Sequence, residues 1–406
     1  MPNEFDLIVV GAGPAGASCA LYAARAGLRV LLLDRARFPR DKVCGDFVPR
    51  RAQRCLEELG LLHRLLAAPH VRLSHLRLVA PSGAAVTLPF CPAQAKPPGY
   101  AAYVCRRWHL DALLVEAARE VAAVREGFAV THVLRDGQAV VGVRGHGEGT
   151  PEESFAARLV VGADGHRSVL RRQLGLYRLE PRHWAAAARA YYRGVDMDPS
   201  TAEVHFLPWV RSGYLWLFPA DDGLTNVGLG VRQHELRRQG RGLRQALAAA
   251  LETEPLAARF SRARAASPVL GWPLPLGSRR RQVHGPGFLL VGDAAGLVNP
   301  FSGEGIGNAM WSGRLAAQSA AGGAAGAPTT AALRGYATRL WRDLGPELRL
   351  ARQLQRLGRY PSLLNLVLGR AARRPEVGDW LGLMLCGQVS KAALLSPLTY
   401  LRLLAR

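Results

Sequence analysis

The chain opens with a strand, a glycine-rich turn, a helix and a second strand, and this run limits its fold more than any other feature. Phe5-Asp6-Leu7-Ile8-Val9-Val10 is apolar enough for a parallel strand buried on both faces. Gly11-Ala12-Gly13-Pro14-Ala15-Gly16 follows, then an alanine-rich helical stretch to Ala26 that Gly27 stops. Leu28 to Leu33 reads as the second strand, ending in Asp34. In such a unit Gly11 permits the tight turn, Gly13 lets the backbone approach a pyrophosphate, and Gly16 lets helix and strand pack closely. The helix N-terminus, with Ala15 in its first turn, offers free N–H groups and the positive dipole end to phosphates. Asp34, with Arg35 beside it, stands about 20 residues on, where an acid holds a ribose hydroxyl. A bound dinucleotide is the expectation.

Two further turns fit the same ligand. Phe288 to Val291 is strand-like and leads into Gly292-Asp293-Ala294-Ala295-Gly296-Leu297-Val298-Asn299-Pro300-Phe301-Ser302-Gly303-Glu304-Gly305-Ile306-Gly307. An aspartate at a strand end can hold a ribityl hydroxyl. The turn after it lets backbone N–H groups near Pro300, Gly303, Gly305 and Ile306 meet a flat ring at its edge. The other turn, Asp164-Gly165, closes a strand at Phe155–Val161 and leaves a carboxylate near the cofactor; Ser168 and Arg171 can cap the next helix or meet a phosphate. Arg107 heads Arg-x-x-Leu-Asp with Leu110 and Asp111, and its guanidinium can reach the nucleotide; Arg106 is the competing choice.

The 406 residues suffice for two or three domains or one large α/β unit. Cys19, Cys44, Cys55, Cys91, Cys105 and Cys386 show neither CxxC pairing nor metal-ligand spacing. Reduced thiols in a cytoplasmic protein, with no metal site, are expected. No apolar run approaches the roughly 18–20 residues of a spanning helix. The net charge of +22 is almost all arginine, the lysines being Lys42, Lys96 and Lys391. Arginine and alanine excess fits a GC-rich bacterial genome; an anionic membrane surface or an acidic substrate is the alternative. No zinc spacing, RNP-like motif or basic-aromatic patch favours nucleic acid.

Three segments, 1–70, 101–180 and 268–329, read as one discontinuous nucleotide-binding unit, with helices around Arg50–Leu66 and from Trp108 to Val124. Segments 71–100 and 181–267 alternate apolar residues, as at Val204, Phe206, Tyr214, Trp216 and Phe218, and read as a second sheet over the cofactor. Pro89–Pro98 is a Pro-rich interval and Ala320–Ala327 a linker. Helices dominate 330–406. Arg352, Arg356, Arg359, Arg370, Arg373 and Arg374 lie there among leucines, either on a helical cap with its arginines in water or on a peripheral membrane face.

The order GxGxxG, Arg-x-x-Leu-Asp, Asp-Gly and Gly-Asp resembles the single-FAD flavoproteins of the p-hydroxybenzoate hydroxylase fold, over roughly residues 1–325. The resemblance implies an α/β fold: a Rossmann-like FAD-binding domain interleaved with a β-sheet substrate domain, plus a helical C-terminal region. It implies FAD, with NADPH or NADH only a transient reductant. Within that fold, Asp41-Lys42-Val43-Cys44-Gly45-Asp46 resembles the Lys-x-Cys-Gly segment of geranylgeranyl reductase-like enzymes, and Tyr214-Leu215-Trp216-Leu217-Phe218-Pro219 their Tyr-x-Trp-x-Phe-Pro motif. Gly296 stands where aromatic hydroxylases carry histidine. Halogenases differ at Tyr214 and Phe218 and need a placed lysine, for which Lys96 is the free candidate.

The implied activity is reduction of C=C bonds in a lipophilic, isoprenoid-like substrate. Cys44, Tyr214 and Trp216 are then expected near the reacting bond, with Cys44 and Gly45 also beside FAD. A monooxygenase or halogenase tailoring a polyketide or other aromatic metabolite, and a non-redox FAD-bound cyclase or binding protein, are the alternatives. Cys44 can equally be a small buried hydrophobe, the three aromatics a strand's core face, and His109 and His166 structural.

Overall fold

The computed structural model describes residues 5–90, 102–178, 180–232, 235, 240, 242–322, 330–385, 390–399 and 401. Lys96, Cys91, Cys386 and most of Ala320–Ala327 lie outside the described residues.

Five parallel strands form the centre of the first sheet, in the order Phe288–Leu290, Glu153–Gly162, Phe5–Val10, Val30–Asp34 and Ala123–Glu126. Their side chains are apolar on both faces because helices cover one face and an antiparallel meander the other. The helices Pro14–Arg25 and Ile306–Ala321 pack together there; Phe128–Asp136, Ala139–Gly147 and Glu153–Gly162 make the meander. The first strand, the glycine turn and the helix fall where the spacing puts them. Two expected helices are shorter. Arg50–Leu66 divides into Arg50–Glu58 and Leu62–Ala67 around Gly60, whose φ is +64°. The helix from Arg107 ends at Arg119, and Val124 belongs to an edge strand paired with Val30–Asp34.

The second sheet runs Ala85–Pro89, His75–Val79, Thr201–His205, Tyr214–Pro219, Leu224–Arg232, Trp184–Arg193, Leu270–Pro275. Leu270–Pro275, grouped by sequence with the nucleotide-binding unit, instead pairs with Trp184–Arg193. Alternation sorts its faces: Leu215 and Leu217 pack on the helix Leu243–Leu251, while Tyr214, Trp216 and Phe218 point toward the first sheet's ligand edge. A small sheet of Phe47–Val48, Ala102–Val104 and Val71–Leu73 joins the two.

The C-terminal helices divide between the two units. Thr330–Asp343 and Gly345–Leu357 join the nucleotide-side core through Leu333, Tyr336, Leu340 and Leu348, and the Tyr336 hydroxyl donates to Leu290 O at 2.7 Å. Pro361–Arg373 and Pro375–Leu385 instead cover the Ala85–Pro89 edge, where Val367, Leu368, Ala371 and Leu381 meet Val86 and Leu88. No described helix is long and apolar enough to cross a membrane.

Candidate active site

One cavity of about 1260 Å³ extends from the fingerprint turn to the C-terminal helices. Single-ligand pockets occupy about 300–1,000 Å³, so this one has room for two ligands in line.

Its first end is polar and cationic. Gly11 has φ +101°, and a Cβ there would lie 2.5 Å from Ala163 O; one on Gly16 would lie 1.7 Å from Gly11 O. These two glycines are needed by the polypeptide. Gly13 is different: its backbone is extended (φ −68°), and a Cβ would meet nothing closer than 3.8 Å. Those nearest atoms are guanidinium nitrogens of Arg40 and Arg107, so Gly13, Ala15 and the helix N-terminus share an anion-ready floor. Asp111 aligns both arginines. Arg107 donates from Nε and Nη2 at 2.6 Å each, and Arg40 Nη1 lies 2.9 Å away. Arg107 is 6% exposed and lines the cavity, whereas Arg106 turns away to Asp221 at 2.7 Å.

Asp34 accepts from the Ala12 N–H at 2.6 Å and the Ala36 N–H at 2.8 Å, leaving one lone pair on each oxygen for a ribose. Arg35 lines the cavity next to it. On the opposite wall, Asp164 Oδ2 accepts from the Val169 N–H at 2.6 Å, while Oδ1 is buried without a partner, and Gly165 turns with φ +74°. Burial pushes the Asp164 carboxyl up. His166, also on this wall, has both ring nitrogens buried and unpartnered. Burial and the nearby Lys42 charge hold its pKa down, at about 4, so the imidazole is neutral at pH 7. Buried polar atoms without partners are rare; these belong to residues lining the cavity and are free to meet a polar ligand. Sequence reasoning left His166 as structural, since a lone histidine carries no motif.

At the middle of the cavity stands Asp293, just past the Phe288–Leu290 strand; Gly292 (φ +55°) lies behind it, its amide donating to Ser312 Oγ at 2.9 Å, and burial pushes the Asp293 carboxyl up against the pull of Lys42 and Arg107. The Pro300–Ile306 loop differs from expectation. The Phe301 and Ser302 amides donate to Asn299 Oδ1 at 3.0 and 3.1 Å, and the Gly303 amide to Asn299 O at 3.0 Å. The amides of Gly305 and Ile306, at the start of a helix, are those left to face a ring edge. Across from them lies the Asp41–Asp46 segment. Cys44 and Gly45 line the cavity, and burial pushes the Cys44 thiol up, keeping its proton at neutral pH. Lys42 Nζ lies 3.9 Å from the Trp272 ring centroid, and burial lowers its pKa to about 8.

The second end is apolar. Tyr214, Trp216 and Phe218 wall it, with Ala187, Ala202 and Gly230 leaving space beside them. Gly228 is required here, since a Cβ would stand 2.1 Å from Trp216 Cζ2. The polar hydrogens of Tyr214 and Trp216, both expected near the reacting bond, are already used. The Tyr214 hydroxyl donates to Ser302 O and the Trp216 indole N–H to Asn226 Oδ1 at 2.9 Å. Each group has one proton, so in this arrangement both side chains shape the wall and neither protonates a substrate. Leu354, Leu363, Val367, Leu381 and Met384 close the far end, a role no periodicity in the C-terminal helices reveals. Among the described residues, no cluster of His, Cys, Asp or Glu side chains is placed to hold a metal ion.

Residues 4–319 match a family model described as an FAD binding domain. The chain belongs to this FAD-binding family. Over 334 residues it is 35% identical to a menaquinone reductase from Mycolicibacterium smegmatis, covering 78% of this chain and 76% of that one. Over 400 residues it is 32% identical to digeranylgeranylglycerophospholipid reductase 2 from Methanopyrus kandleri, covering 96% and 95%. A geranylgeranyl bacteriochlorophyll reductase-like protein from Thermoplasma acidophilum shares the fold, with a TM-score of 0.78 over 99% of this chain and 96% of that one at 23% identity. Membership makes the protein an FAD-dependent oxidoreductase, and the bare backbone at Gly13, the paired arginines and the orphaned Asp164 oxygen fit that cofactor.

Proposed function

We propose that the protein reduces carbon–carbon double bonds of an isoprenoid lipid. The observation that carries this reading is the single cavity joining a dinucleotide floor to an apolar chamber walled by Trp216, Phe218 and the C-terminal helices. Gly11, Gly13, Ala15, Asp34, Arg35 and Arg107 would hold the adenosine diphosphate half of FAD, with Gly16 packing the turn that presents them. Asp164, Gly165 and Asp293 would hold the ribityl chain and the Gly305 and Ile306 amides the ring edge, with Gly292, Pro300 and Gly303 shaping the turns that present them. Bound and reduced, FAD would supply the hydride for one alkene carbon, and the polypeptide would supply the proton for the other. NADPH or NADH is the proposed transient reductant.

The polypeptide then has three tasks. The amides of Gly305 and Ile306 offset negative charge at the ring edge, as preorganised dipoles do. Tyr214, Trp216 and Phe218 exclude water and align the alkene. Cys44, a protonated thiol on the facing wall, is the proposed proton donor. Incubating the reduced enzyme without oxygen with a polyprenyl quinone or a geranylgeranyl lipid should yield product gaining two hydrogens per bond, read by mass spectrometry. Product formed only with oxygen, and carrying an oxygen atom, would replace this reading with a monooxygenase.

A lipid substrate has to leave a bilayer, and the C-terminal segments that wall the chamber also expose Tyr360, Leu398 and Leu401, with Arg356 and Arg359 exposed just before Tyr360 in the chain. Peripheral contact with anionic membrane is proposed there. The protein should float with phosphatidylglycerol vesicles at low salt and dissociate as salt screens the charge; absence from the lipid fraction at low salt would refute it.

A further inference from the structure

Asp46 lies two residues beyond Cys44 and is fully buried, yet its φ is +61°, a left-handed conformation that few residues but glycine adopt, though aspartate tolerates it better than most. Such strain, about 1–3 kcal/mol, persists only where the surroundings over-determine it. They do. Asp46 Oδ2 accepts from the Tyr191 hydroxyl and from Asn226 Nδ2, both at 2.6 Å; Oδ1 accepts from the Arg107 N–H at 3.3 Å, and Asp46 O from the Cys105 N–H at 2.9 Å.

Asn226 carries this order to the chamber. Its Nδ2 also donates to Cys44 O at 2.8 Å, and its Oδ1 accepts from the Trp216 indole N–H at 2.9 Å. One carboxamide therefore ties the Cys44 backbone to the aromatic wall, and Asp46 fixes which way that carboxamide faces. From the same side Arg189 grips the segment's other end, donating to Asp41 at 2.7 and 2.8 Å and to Lys42 O at 3.2 Å.

We propose that Asp46 is a positioning residue for the reaction, its carboxylate latching Asn226 so that Cys44 and Trp216 keep a fixed relation across the substrate chamber. The inference rests on the reductase reading for its chemistry, but the latch itself does not. Asn226 Nδ2, the Tyr191 hydroxyl and the Arg107 amide all donate to this group, so the ionised carboxylate makes every bond of the latch charge-assisted and holds it tightest. Protonation would weaken these bonds and, on Oδ1, would set the new hydrogen against the Arg107 N–H.

The groups facing Asp46 are Arg107, Arg106, Arg189, Tyr191, Cys44, Cys105 and Asn226. Burial outweighs the neighbouring cations and hydrogen bonds and raises the Asp46 pKa to about 6. The latch is therefore closed above that pH and opens as pH falls through it.

The test is a pH series of the FAD-loaded enzyme, with isoprenoid turnover and the visible absorbance band of bound FAD followed together. Wild type should lose turnover as pH falls through about 6, and the band should shift with the same midpoint. Asp46→Asn should lower kcat by on the order of 100-fold, with both acidic transitions gone and FAD retained. Tyr191→Phe removes a hydrogen bond that stabilises the carboxylate, so both transitions should move to higher pH; it decides the matter if Asp46→Asn does not fold. Transitions unmoved in the folded variants, or a wild-type band that does not titrate there, would overturn the latch. Wild type that reduces no isoprenoid would end the reductase reading, while the band titration would still decide the latch.

Discussion

Replacing Arg107 with alanine should release FAD and destabilise the fold together. The guanidinium is buried, makes two hydrogen bonds to Asp111 and borders the backbone-lined floor at Gly13. Removing one partner of a buried pair leaves the other charge without compensation and costs about 3–5 kcal/mol. Arg40 stays 2.9 Å from Asp111, which places the expected loss near 3 kcal/mol. Denaturant unfolding of the apoprotein reads the stability loss, and quenching of flavin fluorescence reads the binding loss. Arg106→Ala is the control: its partner Asp221 lies away from the cavity, so FAD affinity should be unchanged. Equal FAD affinity in Arg107→Ala and wild type would remove Arg107 from the cofactor site.

Gly13→Val should do the reverse, leaving the fold stable and emptying it of flavin. Its extended backbone suits any L residue, and the space around a Cβ is open to 3.8 Å. Only a ligand lying against the backbone needs that position bare. FAD affinity should fall on the order of 100-fold, equivalent to about 2.7 kcal/mol, with the melting temperature of the apoprotein nearly unchanged. Gly16→Val should instead fail to fold, because its Cβ would overlap Gly11 O at 1.7 Å. Undiminished FAD binding by Gly13→Val would place the pyrophosphate elsewhere.

The contrast between those glycines also shows how legible the chain is. Gly11, Gly13, Gly16 and Asp34 act within one strand–helix–strand unit, so their spacing in sequence is their spacing in space. The alternation of Tyr214, Trp216 and Phe218 against Leu215 and Leu217 likewise survives folding, since a strand sends successive side chains to opposite faces. Asp46 was not legible as a site residue. Its partners Arg107, Tyr191 and Asn226 lie 61, 145 and 180 residues away, and nothing local signals a left-handed aspartate.

Helix ends were misjudged for a related reason. Trp108 to Val124 keeps helical periodicity, but pairing with Val30–Asp34 draws Val124 into the sheet. That the Tyr214 and Trp216 polar hydrogens are taken up by Ser302 and Asn226 was not legible either, because those partners come from other elements. Composition identified the C-terminal arginines and leucines but not that Val367, Leu381 and Met384 would reach the substrate chamber.

Whether an alkene re-oxidises the flavin is the most direct question to put to this enzyme. The FAD-loaded protein, reduced until its yellow colour is lost and kept free of oxygen, is mixed with a polyprenyl lipid in detergent while flavin absorbance is followed. Return of the oxidised spectrum in step with appearance of the saturated lipid is the predicted result. A flavin that stays reduced until oxygen is admitted, and then yields an oxygenated product, would contradict the account.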